Sequence, residues 1–163
     1  MMIRFMFSFF VATTVLATGS VSAGTIDENK ALVSSFIVAE NTKDYETLPT
    51  YITDDFKRHS ESSPNVVVVN KNQFIAHMRD GDAMFLDTKI HAQQMIAEGD
   101  RVAVWASYRG SVAGSGVDPK IDVDISMIFR IEGDNIAELW VMWDNNALRS
   151  QLKANNDGAK SNH

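Results

Sequence analysis

The chain has 163 residues, of which 15 are basic and 21 are acidic, and its formal charge at pH 7 is −6. An acidic surface without a cluster of lysine or arginine repels phosphate groups. We therefore expect no nucleic-acid partner and no binding to anionic membranes. The absence of cysteine excludes disulfide bonds and lipid attachment through an N-terminal cysteine.

The first 23 residues are typical of a secretory signal peptide. Arg4 gives a positive start, residues 5–17 are almost wholly apolar, and Val21-Ser22-Ala23 has the small-x-small form of a cleavage site. An uncleaved anchor is the alternative, but the apolar run is shorter than the roughly 20 residues that cross a bilayer. We expect cleavage after Ala23, a periplasmic or secreted protein, and no membrane association after cleavage.

The 140 residues that follow Ala23 are enough for one domain with its own core. Without Arg4 the chain keeps 14 basic and 21 acidic residues, a formal charge of −7. We place the domain at residues 24–153. Residues 154–163 are small and polar, and we expect a disordered tail there.

Three helices are predicted in the first half of this domain. Apolar residues recur at helical spacing over 26–42, and a shorter helix is predicted over 45–52, although Pro49 is unfavourable within it. A third helix begins near Asn70 or Asn72, both favourable N-caps, and ends near Gly81. Residues 57–60 are predicted as extended chain or loop, and the valines at 66–69 as a short strand.

Four strands are predicted in the second half, over 88–97, 101–113, 120–131 and 136–143, with tight turns at 98–100 and 132–135. Along 120–131 every second residue from Ile121 to Ile131 is apolar, so these side chains share one face. Helices followed by an antiparallel meander predict an α+β fold. In it, the three N-terminal helices pack on a curved, mainly antiparallel sheet.

The run I-A-E-L-W-V-M-W-D-N-N-A-L-R-S-Q-L at 136–152 resembles the C-terminal signature of SnoaL-like proteins. These form the polyketide or ester cyclase branch of the nuclear transport factor 2-like superfamily. The stretches E-N-K-A-L-V at 28–33, R-H-S at 58–60 and A-E-G-D-R-V-A-V at 97–104 are also similar, and the resemblance extends over residues 28–152. It implies a cone-shaped fold with a pocket at the open end and a homodimer formed through the convex face.

The resemblance also implies two candidate catalytic residues. In this family the Asp of the signature, here Asp144, is the acid/base residue of an aldol ring closure, and the His of R-H-S, here His59, faces the pocket. From the residues alone, Asp144 follows two tryptophans, and an acid beside aromatic surface is poorly solvated and suited to moving protons near neutrality. The alternatives are that Asp144 caps the terminal helix and that His59 is a half-exposed loop residue.

Six strand residues are candidates for lining the pocket: Glu138, Trp140, Met142, Trp105, Tyr108 and Arg130. Trp140 is favoured among the aromatic residues because it shares a strand face with Asp144. Trp105 and Tyr108 differ in parity, so at most one of them faces the pocket. Arg130 and Glu138 lie on adjacent strands and are expected to form a cross-strand pair, which would orient a polar ligand only inside the cone.

Two functions remain open at this point. The first is a cofactor-independent enzyme that performs acid–base chemistry of aldol, isomerase or lyase type on a small carbonyl-containing molecule, with Asp144 as acid/base and His59 assisting. The second is a noncatalytic periplasmic module that binds a small ligand or assists assembly. Export favours a substrate other than a polyketide, because polyketide ring closure is cytosolic. No metal-binding, phosphate-loop or dinucleotide motif is present, so no metal and no cofactor are expected.

Overall fold

The computed structural model of the chain describes residues 24–60, 63–111 and 120–160, so the predicted signal peptide lies outside the described residues. The helices are α1 (Ile26–Thr42), α2 (Lys71–Met84) and α3 (Asn145–Lys160), with a 3₁₀ helix at Leu48–Tyr51. The strands are β1 (Ile52–Ser60), β2 (Ser63–Val68), β3 (Lys89–Glu98), β4 (Arg101–Ser111), β5 (Lys120–Glu132) and β6 (Asn135–Trp143).

The six strands form one mixed sheet in the order β2-β1-β6-β5-β4-β3. The meander β3 to β6 is antiparallel, as predicted, and β1 pairs with β6 in parallel. The α+β class and the mainly antiparallel sheet are therefore confirmed. Residues 57–60, which were predicted as extended chain or loop, belong to β1, and β2 pairs with β1 at the sheet edge.

The predicted arrangement of three N-terminal helices needs correction. The segment predicted as a helix over 45–52 forms only the short 3₁₀ helix with Pro49 at its start, because the β-branched residues Ile52 and Thr53 already open β1. Among the described residues, two α-helices precede the meander and the third follows it. That third helix continues to Lys160, so residues 154–160, which were predicted to be disordered, are helical.

Both ends of helix α1 are determined by capping residues. Thr25 is the N-cap and forms a reciprocal capping box with Glu28, and Lys43 ends the helix in the left-handed conformation at φ 56°. Asn29, a buried polar residue of the first turn, donates to the carbonyl oxygens of Gly24 and Gly99 at 3.3 and 3.1 Å. These contacts attach the start of α1 to the turn between β3 and β4.

The core lies between the inner face of the sheet and the helices. Along β5 the alternating apolar residues from Ile121 to Ile131 are buried, as predicted. The Phe36 ring stacks on Phe74 at 5.9 Å and meets the edge of Phe129 at 5.7 Å, and all three are fully buried. Truncation of such a side chain costs about 3–5 kcal/mol, so this aromatic cluster holds α1 and α2 on the sheet.

None of the helices within the described ranges combines the length and the apolar character needed to cross a membrane.

Candidate functional site

A cavity of about 160 Å³ lies between the inner face of the sheet and the helices α1 and α2. Its walls are mainly apolar, and the apolar residues come from α2, the segment after it and three strands: Phe74, Met78, Phe85, Ile90, Ile125, Met127, Leu139 and Val141. A concave, mainly apolar space with a few polar groups is the usual form of a small-molecule site.

Six side chains with polar groups also line this cavity: Glu40 from α1, Arg58 from β1, His77 and Asp82 from α2, Tyr108 from β4 and Trp143 from β6. They include two carboxyl groups, a guanidinium, an imidazole, a phenol and an indole. Among the described residues, no three carboxyl or imidazole side chains are grouped as a metal ion would require. The site is therefore described by its proton-carrying and hydrogen-bonding groups.

The end of α1 positions Glu40. The side chain of the next residue, Asn41, donates to the Ile90 carbonyl oxygen at 2.8 Å and accepts from the Ile90 amide at 2.7 Å. The ammonium of Lys89 also donates to the carbonyl oxygen of Asn41. These bonds attach the last turn of α1 to the first residues of β3, and Glu40 consequently lies at the inner face of the sheet.

Burial raises the pKa of Glu40 to about 7 from its ordinary value of 4.5. The positive charge of Arg58 lowers this pKa, and the negative charge of Asp82 raises it, but both effects are smaller than that of burial. A carboxyl group with this pKa is present in both protonation states near neutral pH. It is therefore suited to accept and return a proton.

Asp82 is held in place by contacts outside the cavity. It accepts a hydrogen bond from the Tyr45 hydroxyl, and its other oxygen lies 3.4 Å from the Lys43 ammonium. Burial, followed by the interaction with Asp82, raises the pKa of Tyr45 to about 12, so this phenol stays protonated and continues to donate. The Arg79 guanidinium covers the Tyr45 ring at 4.9 Å. The negative charge of Asp82 near Glu40 is thus a fixed feature of the site.

His77 and Tyr108 are neutral near pH 7. Partial desolvation lowers the pKa of His77, and the charge of Arg58 lowers it further. Burial raises the pKa of Tyr108 to about 12, and its hydroxyl donates to the Thr88 hydroxyl at 2.8 Å. Near neutral pH, the charge of the cavity lining therefore depends on Glu40, Arg58 and Asp82.

Trp143 is the last residue of β6 and forms part of the cavity wall beside Tyr108, with 6.1 Å between the ring centroids. Its indole Nε1 is buried, and among the described residues it has no hydrogen-bond partner. A buried N–H group without a partner is uncommon and costs free energy, and this one is buried too deeply for a water-sized molecule in the cavity to touch it.

The structure places Asp144, the predicted acid/base residue, at the N-cap of α3. Its carboxylate accepts from the amides of Asn146 and Ala147 at 2.9 and 3.0 Å, and the residue is exposed. Its carboxylate is not among the groups that line the cavity. These are the contacts of a helix-capping residue, which was the alternative interpretation of Asp144.

His59 lies on the outer face of the sheet. Its Nε2 is 2.7 Å from a carboxylate oxygen of Glu138, and its ring stacks on Trp140 with 4.9 Å between centroids. Arg130 donates to the other oxygen of Glu138 at 3.0 Å, which confirms the predicted cross-strand pair. Burial alone would raise the pKa of Glu138, but the bonds from His59 and Arg130 hold it below its ordinary value.

Of the six residues predicted to line the pocket, only Tyr108 does so. Glu138, Trp140 and Arg130 belong to the outer ion-pair cluster, and Trp105 and Met142 are exposed on the same outer face. Glu138, Trp140 and Met142 were predicted to face the pocket from β6, but they lie on the outer face of the sheet. On this strand Leu139, Val141 and Trp143 point inward, because their apolar row continues the inner row of β5.

Sequence reasoning missed Glu40 as a site residue and treated His77 as an ordinary surface residue. A signal for Glu40 was present, since it lies seven residues after Val33 and four after Phe36, on the apolar stripe of α1. An acid within such a stripe is either buried or at its border. Arg58 and Asp82 gave no comparable signal, because their approach to Glu40 depends on tertiary packing.

The raised pKa of Glu40 predicts a pH-dependent stability. The folded protein binds a proton at Glu40 that the unfolded chain releases between about pH 4.5 and pH 7, so the free energy of unfolding falls as the pH rises through this window. Glu40→Gln removes the effect. The stability of this variant relative to wild type should rise by up to about 3 kcal/mol between pH 4 and pH 8, measured by denaturant titration.

Glu46→Gln is the matched control, because it removes the same charge at an exposed position six residues further along the chain. It should follow the wild-type pH profile within about 0.5 kcal/mol. If Glu40→Gln also follows that profile, Glu40 is solvated and the cavity is not a site of perturbed ionisation.

Comparison with known proteins agrees with this architecture. A SnoaL-like protein from Shewanella denitrificans, described as a polyketide cyclase, superposes with a TM-score of 0.70 at 17% identity over 77% of this chain and 97% of its own. IdmH from Streptomyces antibioticus, also described as a polyketide cyclase, superposes with a TM-score of 0.67 at 22% identity, over 77% of this chain and 98% of IdmH. An LEH-like epoxide hydrolase from M. tuberculosis superposes with a TM-score of 0.70 at 12% identity, over 86% of this chain and 100% of the hydrolase. These similarities establish the fold.

No curated protein matches the chain. The family model of the SnoaL-like polyketide cyclases, however, matches residues 30–152, which include most of α1, all of α2, all six strands and the start of α3. The match extends over most of the chain. This protein therefore belongs to the SnoaL-like polyketide cyclase family.

Proposed function

We propose that this protein performs acid–base chemistry on a small carbonyl-containing molecule bound in the inner cavity, with Glu40 as the group that takes up and returns the proton. The observation that carries the proposal is a carboxyl group with a pKa of about 7 in the wall of a mainly apolar cavity. Perturbed ionisation in a concave site is typical of catalytic acids and bases.

The proposed reaction begins with removal of a proton from the carbon next to the carbonyl group by the Glu40 carboxylate. The apolar walls exclude water from the carboxylate and strengthen it as a base relative to a carboxylate in solution. The protonated Glu40 then returns the proton to a carbon or to a new alkoxide. Such positioned acid–base catalysis contributes about 10²- to 10⁴-fold to a rate.

The carbonyl class of substrate is supported by family membership, since two of the structural relatives are described as polyketide cyclases. The family resemblance assigns the acid/base role to Asp144, with His59 assisting. In this chain, Asp144 is an exposed helix cap and His59 is paired with Glu138 on the outer face. Glu40 and Asp82 are the carboxyl groups that line the cavity, and we assign the role to Glu40 because burial raises its pKa to about 7.

A noncatalytic ligand-binding function is the second candidate. It is favoured by the position of Asp144, because this carboxylate, to which the resemblance assigns catalysis, caps a helix and does not line the cavity. Under this function, the cavity binds the same class of small molecule without turnover.

We further propose that the protein is a homodimer formed through the outer face of the sheet. Ile96, Trp105 and Met142 are 60%, 48% and 41% exposed there, and they border a groove that also contains Ala103 and Ile128. Exposed apolar side chains that are grouped in this way mark an interaction surface. A second copy of the chain presents the same groove, so a twofold contact would cover both.

We also propose that the protein is exported after cleavage behind Ala23. The folded domain would tolerate this cleavage, because the capping box of α1 begins at Thr25 and the preceding residue, Gly24, accepts a hydrogen bond from the Asn29 side chain. All contacts described above would remain in the mature chain.

The catalytic proposal predicts that the protein accelerates the exchange of the α-hydrogens of cyclohexanone for deuterium in D₂O, measured by proton NMR. The rate should rise with pH through about 7, since the carboxylate form of Glu40 is the base. Glu40→Gln should reduce the enzymatic rate by about 10²- to 10⁴-fold. Asp144→Asn is the matched control and should retain the rate within about threefold, because it changes only a cap.

If Asp144→Asn abolishes exchange and Glu40→Gln does not, the acid/base is the residue that the family resemblance implies. If cyclohexanone binds but wild-type protein gives no exchange above buffer, the binding function replaces the catalytic one.

The dimer proposal predicts that Ile96→Asp produces a monomer, because it places a charge in an apolar contact. Sedimentation equilibrium measures the mass of both proteins. Val38→Asp is the control, since Val38 has the same 60% exposure but lies on α1. A wild-type protein that is monomeric at micromolar concentration would contradict the proposal.

The export proposal predicts that the protein recovered from the periplasm or the medium of an expressing Gram-negative host begins at Gly24, as determined by N-terminal sequencing. Replacement of Ala23 by a bulky residue should prevent this cleavage. A cytoplasmic protein with intact Met1 would contradict the proposal.

A further inference from the structure

We propose that the cavity binds a carbonyl compound as its enolate, with the Arg58 guanidinium donating to the negatively charged ligand oxygen while Glu40 carries the proton. This inference rests on the proposed function, because both use the same cavity and the same carboxyl group. It adds the charge of the ligand in the bound state and the residue that binds its oxygen.

The structure places Arg58 on the inner face of the sheet. Its register partners on the two neighbouring strands are Leu139 of β6 and Val68 of β2, and both are buried. Residues that pair across strands point to the same face, so the Arg58 side chain points into the cavity that it lines. The family resemblance implies that His59 faces the pocket, but in this chain the alternation along β1 puts Arg58 there instead.

The positive charge of Arg58 acts on three other groups that line the cavity. Burial is the largest influence on the pKa of Glu40, His77 and Tyr108, and the charge of Arg58 is a further influence on each of them. These residues belong to α1, α2 and β4, so the guanidinium lies where the helices face the sheet. Its five N–H donors form a planar fork, which can bind a ligand oxygen in addition to its other contacts.

The carboxyl groups of the cavity do not cancel the charge of Arg58 when Glu40 is protonated. Asp82 accepts from the Tyr45 hydroxyl and lies 3.4 Å from the Lys43 ammonium, so its negative charge is largely balanced from outside the cavity. Protonated Glu40 is uncharged and can donate a hydrogen bond. The lining therefore favours an anionic ligand oxygen while Glu40 is protonated, and it does so less once Glu40 is ionised.

An enolate provides this combination of charges. In the proposed reaction, a proton leaves the carbon next to the carbonyl group and passes to the Glu40 carboxylate. The electron pair stays on the ligand and places negative charge on its oxygen, so no redox partner is needed. The result is an enolate beside protonated Glu40. A fixed positive charge in mainly apolar surroundings stabilises this oxygen more than the oxygen of the neutral ketone, and Arg58 therefore acts on the ionised form.

The test uses 1,3-cyclohexanedione, which is mostly its enolate between pH 6 and pH 8, and 3-amino-2-cyclohexenone, which has nearly the same shape but is uncharged. Wild-type protein should bind the enolate more tightly than the uncharged probe at pH 6. Its affinity for the enolate should fall about tenfold from pH 6 to pH 8, because the protonated fraction of Glu40 falls by about that factor. The affinity for the uncharged probe should change by less than about twofold.

Two further measurements on wild-type protein locate the proton. Calorimetry in two buffers of different ionisation enthalpy should show that binding of the enolate takes up about one proton at pH 8, where most of Glu40 is ionised in the free protein. The bound ligand should keep the ultraviolet absorption of the enolate, since the proton is on Glu40 and not on the ligand oxygen. These measurements need no variant, so they decide the proposal even if a substitution of Arg58 prevents folding.

Arg58→Gln should weaken the binding of the enolate at pH 6 at least about tenfold, because a charge-assisted hydrogen bond is lost, and should change that of the uncharged probe by less than about threefold. Arg101→Gln is the matched control. It removes the same charge on the outer face, where the Arg101 side chain is 49% exposed and covers Trp140, and it should leave both affinities unchanged. Glu40→Gln should bind the enolate with the same affinity at pH 6 and pH 8.

The proposal is overturned if the enolate binds no more tightly than the uncharged probe at pH 6, if the wild-type affinity does not depend on pH, or if the bound ligand absorbs as the enol. A pH dependence that persists in Glu40→Gln would assign the proton to His77 and overturn the role of Glu40. These results are independent of catalysis. Proton-linked binding without deuterium exchange would remove the catalytic function and keep the anion site, whereas exchange that depends on Glu40, without preference for the enolate, would do the reverse.

Discussion

The side-chain amide of Asn41 holds the end of α1 against the start of β3 by donating to and accepting from the backbone of Ile90. Since β3 is an edge strand, this amide satisfies backbone groups for which no neighbouring strand is available. The same bonds fix the last turn of α1, and therefore Glu40, at the inner face of the sheet. The desolvation of Glu40 and the closure of the cavity on this side both depend on this contact.

The two faces of the sheet have different energetic roles. The inner face buries the aromatic cluster around Phe36, whose members contribute several kcal/mol each. The outer face carries partly exposed ion pairs such as that between Arg130 and Glu138, and pairs of this kind contribute about 0–1 kcal/mol. The inner face of the sheet therefore contributes most of the stability of the fold. The outer surface around Trp105 can serve an interface without loss of the fold.

The contrast between the buried inner face and the partly exposed outer face explains which strands could be predicted from the sequence. Strands β3 to β6 were predictable because their apolar residues alternate, as in the row from Ile121 to Ile131. Strand β1 was not, since its register with β6 shifts between Ile52 and Lys57 and its buried residues do not alternate. Parity correctly predicted that at most one of Trp105 and Tyr108 lines the pocket. Trp140 was favoured because it shares a strand face with Asp144, whereas the apolar row of β6 places Trp143 at the pocket instead.

Glu40 illustrates why the site itself could not be predicted. A lone acid on an amphipathic helix is compatible with a surface position, and its burial becomes visible only when α2 and β1 bring Asp82 and Arg58 to it. If its role were to pair with Arg58, that charge would outweigh burial and lower its pKa, whereas burial is the larger effect. An uncharged residue of similar size would avoid the cost of desolvation above pH 7. A carboxyl group that is retained at that cost in the wall of a mainly apolar cavity is better explained by the chemistry of a ligand than by the stability of the fold.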